Sequence, residues 1–165
     1  MSAKVDLGKF FKGLKSATKT SVNKKAMDFL AQSAITLIVK RTRLGYGVKQ
    51  DGGSRFALSG IKWSDKYRRL RDTYPLDETT RPGKSNLTLT GQMLRSVQVL
   101  KTTKDGVVIG PQGPRDDNKT NENIAKWNAK RGRIFMNLSQ NERGQLVRLF
   151  RREFTALMKR LAKIQ

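Results

Sequence analysis

Most protein chemistry near neutral pH starts from a histidine or a cysteine, and this chain of 165 residues contains neither. The commonest general base and the strongest nucleophile are therefore both missing. Serine–lysine pairing remains open in any lysine-rich chain, but no Ser-x-x-Lys stands in the setting such catalysis uses. Paired carboxylates could hold Mg²⁺ for a nuclease. The candidates Asp51, Asp65, Asp72, Asp77 and Glu78 are scattered over loops and helix ends without a cluster. Asp116, Asp117 and Glu122 do not follow the spacing of an EF-hand loop and lack its central glycine, so a solvated loop is expected there. Gly45-Tyr46-Gly47 is a lone Gly-x-Gly with no strand before it, a weak phosphate-cradle signal. The expectation is a protein without enzymatic activity, with no catalytic site, no metal and no cofactor.

What the residue types do supply is positive charge. Thirty-five Lys and Arg against 13 Asp and Glu give +22. Residues 1–49 hold 11 basic and 2 acidic side chains (+9), residues 50–125 hold 13 and 9 (+4), and residues 126–165 hold 11 and 2 (+9). Such an excess repels itself in a compact fold, and polyphosphate is its usual screening partner. The competing reading is a basic solvated surface without a dedicated partner. No cysteine means no disulfide, and the lysines near the amino terminus are followed by no continuous apolar stretch of the signal-peptide kind. The most apolar stretch, 34–39, is far shorter than the roughly 20 residues a membrane span needs. A soluble protein made in a cytoplasm, with no membrane partner, is expected.

The elements that must position these charges follow from periodicity. Leu7, Phe10, Phe11 and Leu14 fall on one helical face within residues 1–20, a basic arm. Docking on a neighbouring subunit or on its own core suits so short a run better than a membrane surface does. Residues 22–43 read as a long helix with a stripe of Ala26, Phe29, Leu30, Ser33, Ala34, Leu37 and Ile38, ended by Lys40, Arg41, Arg43 and then Gly45. Residues 46–82 read as loops, with a turn at Asp51-Gly-Gly53, a turn or two of helix over 64–71 after Trp63, and a turn at Thr80-Arg-Pro-Gly83. Thr90 suits the N-cap of a short helix that turns Met93, Leu94 and Val97 inward. Alternation over 97–110 around Asp105-Gly106 predicts a β-hairpin, which needs helices or another strand for support. Residues 111–123 read as an exposed loop. Ser139-Gln-Asn-Glu142 forms a capping box that opens a terminal helix. Its apolar stripe is Leu146, Leu149, Phe150, Phe154, Leu157, Met158, Leu161 and Ile164. The fold class expected is α+β: a long N-terminal helix, a short helix with a hairpin or small antiparallel sheet, and a long C-terminal amphipathic helix. One domain spans 21–165 behind the arm.

Two segments in this order resemble a known family. Leu87-Thr-Leu-Thr-Gly-Gln-Met-Leu-Arg-Ser-Val97 is similar to a stretch of tailed-bacteriophage virion-morphogenesis proteins, the tail-completion or neck (head–tail joining) family, in which a hairpin follows. Ala125-Lys-Trp-Asn128-Ala-Lys-Arg-Gly132 and Arg133-Ile-Phe-Met-Asn-Leu-Ser139 then resemble the two motifs that precede the family's terminal helix. The likeness covers roughly residues 60–160. It departs at Asn128, where the family usually has histidine, and at Ile134, where it usually has proline; that proline would fix an extended entry into the last helix. The linker 111–123 is also longer than the family's.

The resemblance implies a structural virion protein, a ring of about six subunits joining the portal or connector to the tail, as tail-completion protein or tail terminator. Its implied partners are further copies of itself, head-closure and tail-tube proteins, and double-stranded DNA passing without sequence recognition; its implied place is the virion neck, assembled in the host cytoplasm. Scattered cations suit such a channel better than a base-reading helix does. Candidates for the channel field are Arg148, Arg151, Arg152, Lys159 and Lys163 on the last helix, with Lys126, Lys130, Arg131 and Arg133 on its approach. Leu7, Phe10, Phe11 and Leu14 are the candidates for subunit or partner contacts. The reading from another class is a free-standing basic nucleic-acid-binding protein of ribosomal or architectural type.

Overall fold

The computed structural model describes residues 5–6, 24–49, 51–58, 92–103, 106–115 and 118–161. Leu7, Phe10, Phe11, Leu14, Trp63, the segment 64–71, the turn 80–83, Thr90 and Lys163 lie outside the described residues. The architecture is α+β, with four helices and two small antiparallel sheets among the described residues. In chain order the elements are β1 (Val5–Asp6), α1 (Lys24–Arg43), β2 (Tyr46–Val48), β3 (Arg55–Ala57), α2 (Gln92–Arg95), β4 (Val97–Thr103), β5 (Gly106–Pro111), α3 (Asn121–Lys130) and α4 (Gln140–Leu161).

The hairpin expected over 97–110 is present as β4 and β5, from Val97 opposite Pro111 to Thr103 opposite Gly106, with an irregularity between Val99 and Lys101. Its support comes from two directions. Val97, Val107 and Ile109 join the core that α1 covers, and β1 adds a third strand through Val5 opposite Ile109 and Asp6 opposite Val108. Part of the expected arm is thus a strand paired within its own chain. Met93, Leu94 and Val97 are buried as expected.

The stripe on α1 differs from the expected one by about one position. Met27, Leu30, Ala31, Ala34 and Ile38 are buried, whereas Phe29 is 40% exposed and Ser33 and Leu37 are half-buried. The buried face continues past Ile38 to Arg41 and Thr42, so a charged and a hydroxyl side chain extend an otherwise apolar row. Gly45, at φ +80, ends the helix in the left-handed region and donates its amide to the Thr42 carbonyl at 2.9 Å.

Two segments expected to be loops are ordered elements. Residues 46–48 and 55–57 pair as β2 and β3 around the Asp51-Gly-Gly53 turn, where Gly53 N–H donates to Asp51 Oδ1 at 2.9 Å. Three-residue strands carry too little alternation to stand out from a loop. The second glycine of Gly45-Tyr46-Gly47 is a packing residue: a Cβ there would lie 2.8 Å from Leu58 Cδ2 and closer still to the Ile134 carbonyl oxygen. That close approach lets Val48 N–H donate to the Ile134 carbonyl at 3.0 Å, which lays the segment 133–138 along β2.

The loop expected over 111–123 is shorter. Pro111 ends β5, and Asn121 to Asn123 form the first turn of α3, with Thr120 as N-cap accepting from the Asn123 amide at 3.2 Å. Buried Asn121 ties the loop back by donating from Nδ2 to the Gly113 carbonyl at 3.2 Å. No described helix is long and apolar enough to cross a membrane.

Candidate nucleic-acid interface

The arginines on or beside the helices show what local chemistry does with one residue type. Arg41 leaves the last turn of α1 and points inward, its side chain 1% exposed. Its Nη1 donates to Glu142 Oε2 at 2.5 Å and to the Asn137 carbonyl at 3.0 Å. Nη2 donates to the Phe135 carbonyl, and Nε to the Tyr46 carbonyl at 3.4 Å. The guanidinium therefore joins α1, β2, the segment 133–138 and α4 at one point. Burial pushes its pKa below the ordinary arginine value, opposed by the Glu142 charge and hydrogen bond and reinforced by the nearby charge of Arg55. An arginine stays protonated under such a shift, so the charge is retained and must be satisfied by acceptors.

Glu142 is the matching half. Its carboxylate accepts from Ser139 N–H at 2.8 Å and Ser139 Oγ at 2.9 Å, while Ser139 Oγ lies 3.3 Å from the Glu142 amide that donates to it. This is the capping box expected from the sequence. The same carboxylate meets Arg41 on one oxygen and Arg55 Nη2, at 3.4 Å, on the other. One side chain thus caps α4 and neutralises a buried cation.

Arg133 belongs with this buried set, contrary to its expected place in the channel field. It is 5% exposed and donates from Nη1 to Asn128 Oδ1 at 2.8 Å. The reason is the end of α3. Gly132, at φ +75, donates to the Ala129 carbonyl, and Arg133 N–H donates to the Asn128 carbonyl, both at 3.0 Å. This double closure folds residue 133 back over residue 128. The contact made there by two apolar side chains in many helices is made here by Asn128 and Arg133, with Asn128 Nδ2 also donating to the Ile124 carbonyl at 2.9 Å. The path of 131–138 is thereby set without a proline at 134.

The remaining cations face solvent. On α4, Leu146 and Phe150 are buried, Leu149 is half-buried, and Arg148, Arg151 and Arg152 are exposed. Spacings of three and four place these arginines on one side of the helix, where Gln145, Arg148, Leu149 and Arg152 line an open groove. One acidic neighbour reaches them among the described residues: Glu153 Oε1, 3.5 Å from Arg152 Nη2 with both groups at least half exposed. Lys159 lies on α4, but its side chain is outside the described residues.

On α3, Lys126 and Lys130 are exposed, and Arg131 follows at the C-cap. The guanidinium of Arg131 lies over the Trp127 ring, 3.9 Å from its centroid, and Trp127 is 43% exposed. In the sequence Trp127 stands out only for its place in a motif; its spacing of four from Arg131 on a helix is the signal that could have found it. No three Asp or Glu side chains group as a metal site among the described residues. No family model, no characterised protein and no solved structure matches the chain.

Proposed function

We propose that this chain is a structural, non-enzymatic protein of the phage neck, a ring subunit that joins the portal or connector to the tail around the DNA channel. The observation that carries the reading is the Arg148, Arg151 and Arg152 face. Three like charges sit at repelling intervals on one helix, with a single carboxylate among the described residues near them. Such a row repels itself, a passing polyanion would screen it, and cations spread without a base-reading pocket attract duplex DNA regardless of sequence. The motif order and its hairpin and long terminal amphipathic helix support a neck or tail-completion subunit over other basic proteins. The order of elements, a long first helix, a short helix with a hairpin, then a long capped helix, suits a subunit that packs side by side with copies of itself.

Mass photometry of the full chain, alone and with the adjoining connector and tail-tube proteins, tests this. A ring of about six subunits that forms with those partners, together with weak, salt-sensitive DNA binding, is the expected result. A monomer that ignores the partners and holds DNA tightly would replace this reading with a free-standing nucleic-acid-binding protein.

A further inference from the structure

We propose that the outward face of α3, centred on Trp127, binds single-stranded nucleic acid by stacking an unpaired base on the indole. Phe29, Leu44 and Trp127 are the large apolar side chains exposed among the described residues, and Trp127 is the one with a cation over its ring. Lys130 and Arg131 follow it at steps of three and four, on the same side of the helix, and Lys126 flanks it. None of Lys126, Lys130 and Arg131 forms an ion pair among the described residues. The face is rigidly mounted. Ala125, Asn128 and Ala129 anchor the opposite side of α3 in the interior, and the Asn128–Arg133 hydrogen bond with the Gly132 turn fixes the C-terminal end. A pre-ordered surface loses little freedom on binding.

Three occupants compete for such a face. A second copy of this chain is disfavoured by charge: of the described acidic side chains, Asp28 and Glu122 are half-buried and Glu142 is buried. Asp51 and Glu153 are exposed, the latter beside Arg152. Among the described residues no acidic patch is available to meet the cations. Duplex DNA satisfies the lysines but keeps its base faces stacked away from an indole. An unpaired base brings a planar ring and a phosphate together, which matches an indole ringed by Lys and Arg, with a guanidinium already completing one side of the stack. The inference does not depend on the ring assembly, since binding at this face is read on the isolated chain.

The test uses the full chain carrying Trp63→Phe, so that Trp127 is the remaining one of two tryptophans. Fluorescence is followed while adding a dT oligomer of about 16 nucleotides, a duplex of the same length, or polyglutamate. Quenching of Trp127 by the single strand and weaker quenching by the duplex are expected. Trp127→Ala, read by anisotropy of labelled oligomer, should bind the single strand about tenfold less tightly, with Trp127→Phe in between. Each of Lys126→Ala, Lys130→Ala and Arg131→Ala should reduce the salt slope by about 0.7. Circular dichroism confirms that the variants are folded, and Trp127→Phe keeps the comparison open should the alanine variant unfold. Absent quenching, or equal affinity for wild type and both Trp127 variants, overturns the proposal. Polyglutamate binding as tightly, with the same dependence on Trp127, would overturn it in favour of an acidic protein surface.

Discussion

Arg41 and Arg148 are the same residue on two helices that pack together, and they have opposite duties. Arg41 is dry, held by a carboxylate and three backbone carbonyls contributed by three other parts of the chain. Arg148 is exposed and lies in a row of like charges. The difference is the number of acceptors within reach. Where several segments converge and bring carbonyls with no ladder partner, a guanidinium with five donors satisfies them at once. Where a helix face has no acceptor nearby, the same group stays hydrated and projects a field. Charge in this molecule is therefore of two kinds, a structural tie at the N-terminal end of α4 and an outward field farther along it.

Breaking the tie should have the largest effect. Glu142→Ala strands a buried Arg41 without its counter-ion and removes the reciprocal cap of α4, and a loss of about 3–5 kcal/mol in urea unfolding is expected. The double variant Arg41→Met with Glu142→Leu removes both charges together and should recover a large part of that loss. A single variant that loses under about 1 kcal/mol would show that the pair is solvated and that the two regions do not differ.

Gly47→Ala probes how the tie is assembled. An added methyl would press on Leu58 and on the Ile134 carbonyl, lifting the segment that delivers the Phe135 and Asn137 carbonyls to Arg41. A loss of about 1–3 kcal/mol is expected from overpacking alone. It should shrink markedly in the Arg41→Met, Glu142→Leu background, because the carbonyls then have no guanidinium to reach. Additive losses would mean that Gly47 and the tie are independent.

The same contrast explains what the sequence disclosed. The hairpin, the inward Met93, Leu94 and Val97, and the Ser139–Glu142 cap follow from short-range patterns, and each is present. The terminal run Lys40, Arg41, Arg43 reads as helix-end charge, yet Arg41 follows Ala34 and Ile38 at steps of four and three and so continues the buried row. Treating charge as a solvent marker hid that continuation. Strands β2 and β3 were illegible for a different reason: they are three residues each, and β2 is held on its other side by the segment 133–138, far away in the chain. α3 was hidden by polar residues at most of its positions, although Thr120 and Asn123 supply a cap. Arg133 could not be told from Arg131 by type. The glycine between them turns the chain so that one side chain goes in and the other stays out.

Arg133→Ala distinguishes the two regions more finely. It leaves Asn128 Oδ1 buried without its donor, and a loss of about 1–3 kcal/mol follows from an unsatisfied acceptor. Affinity for duplex DNA, compared at a temperature where the variant is fully folded, should match wild type, since a buried guanidinium contributes little to the outer field. A fall in DNA affinity as large as that of an exposed arginine would return Arg133 to the channel face.

The smallest change in stability should accompany the largest change in DNA binding. Replacing Arg148, Arg151 and Arg152 together by Ala removes an exposed row whose members repel one another, so unfolding free energy should stay within about 0.5 kcal/mol per site, with some gain from relieved repulsion. Affinity for duplex DNA, however, should lose about 0.9 of a unit of salt slope for each arginine that contacts a phosphate. Measuring both quantities on one sample separates the two kinds of charge: Glu142→Ala moves stability, and the triple variant moves the slope. If the triple variant destabilises the fold while leaving the slope unchanged, the α4 face is a packing surface for a neighbouring subunit and the DNA field arises elsewhere, with Lys126, Lys130 and Arg131 as the next row to neutralise.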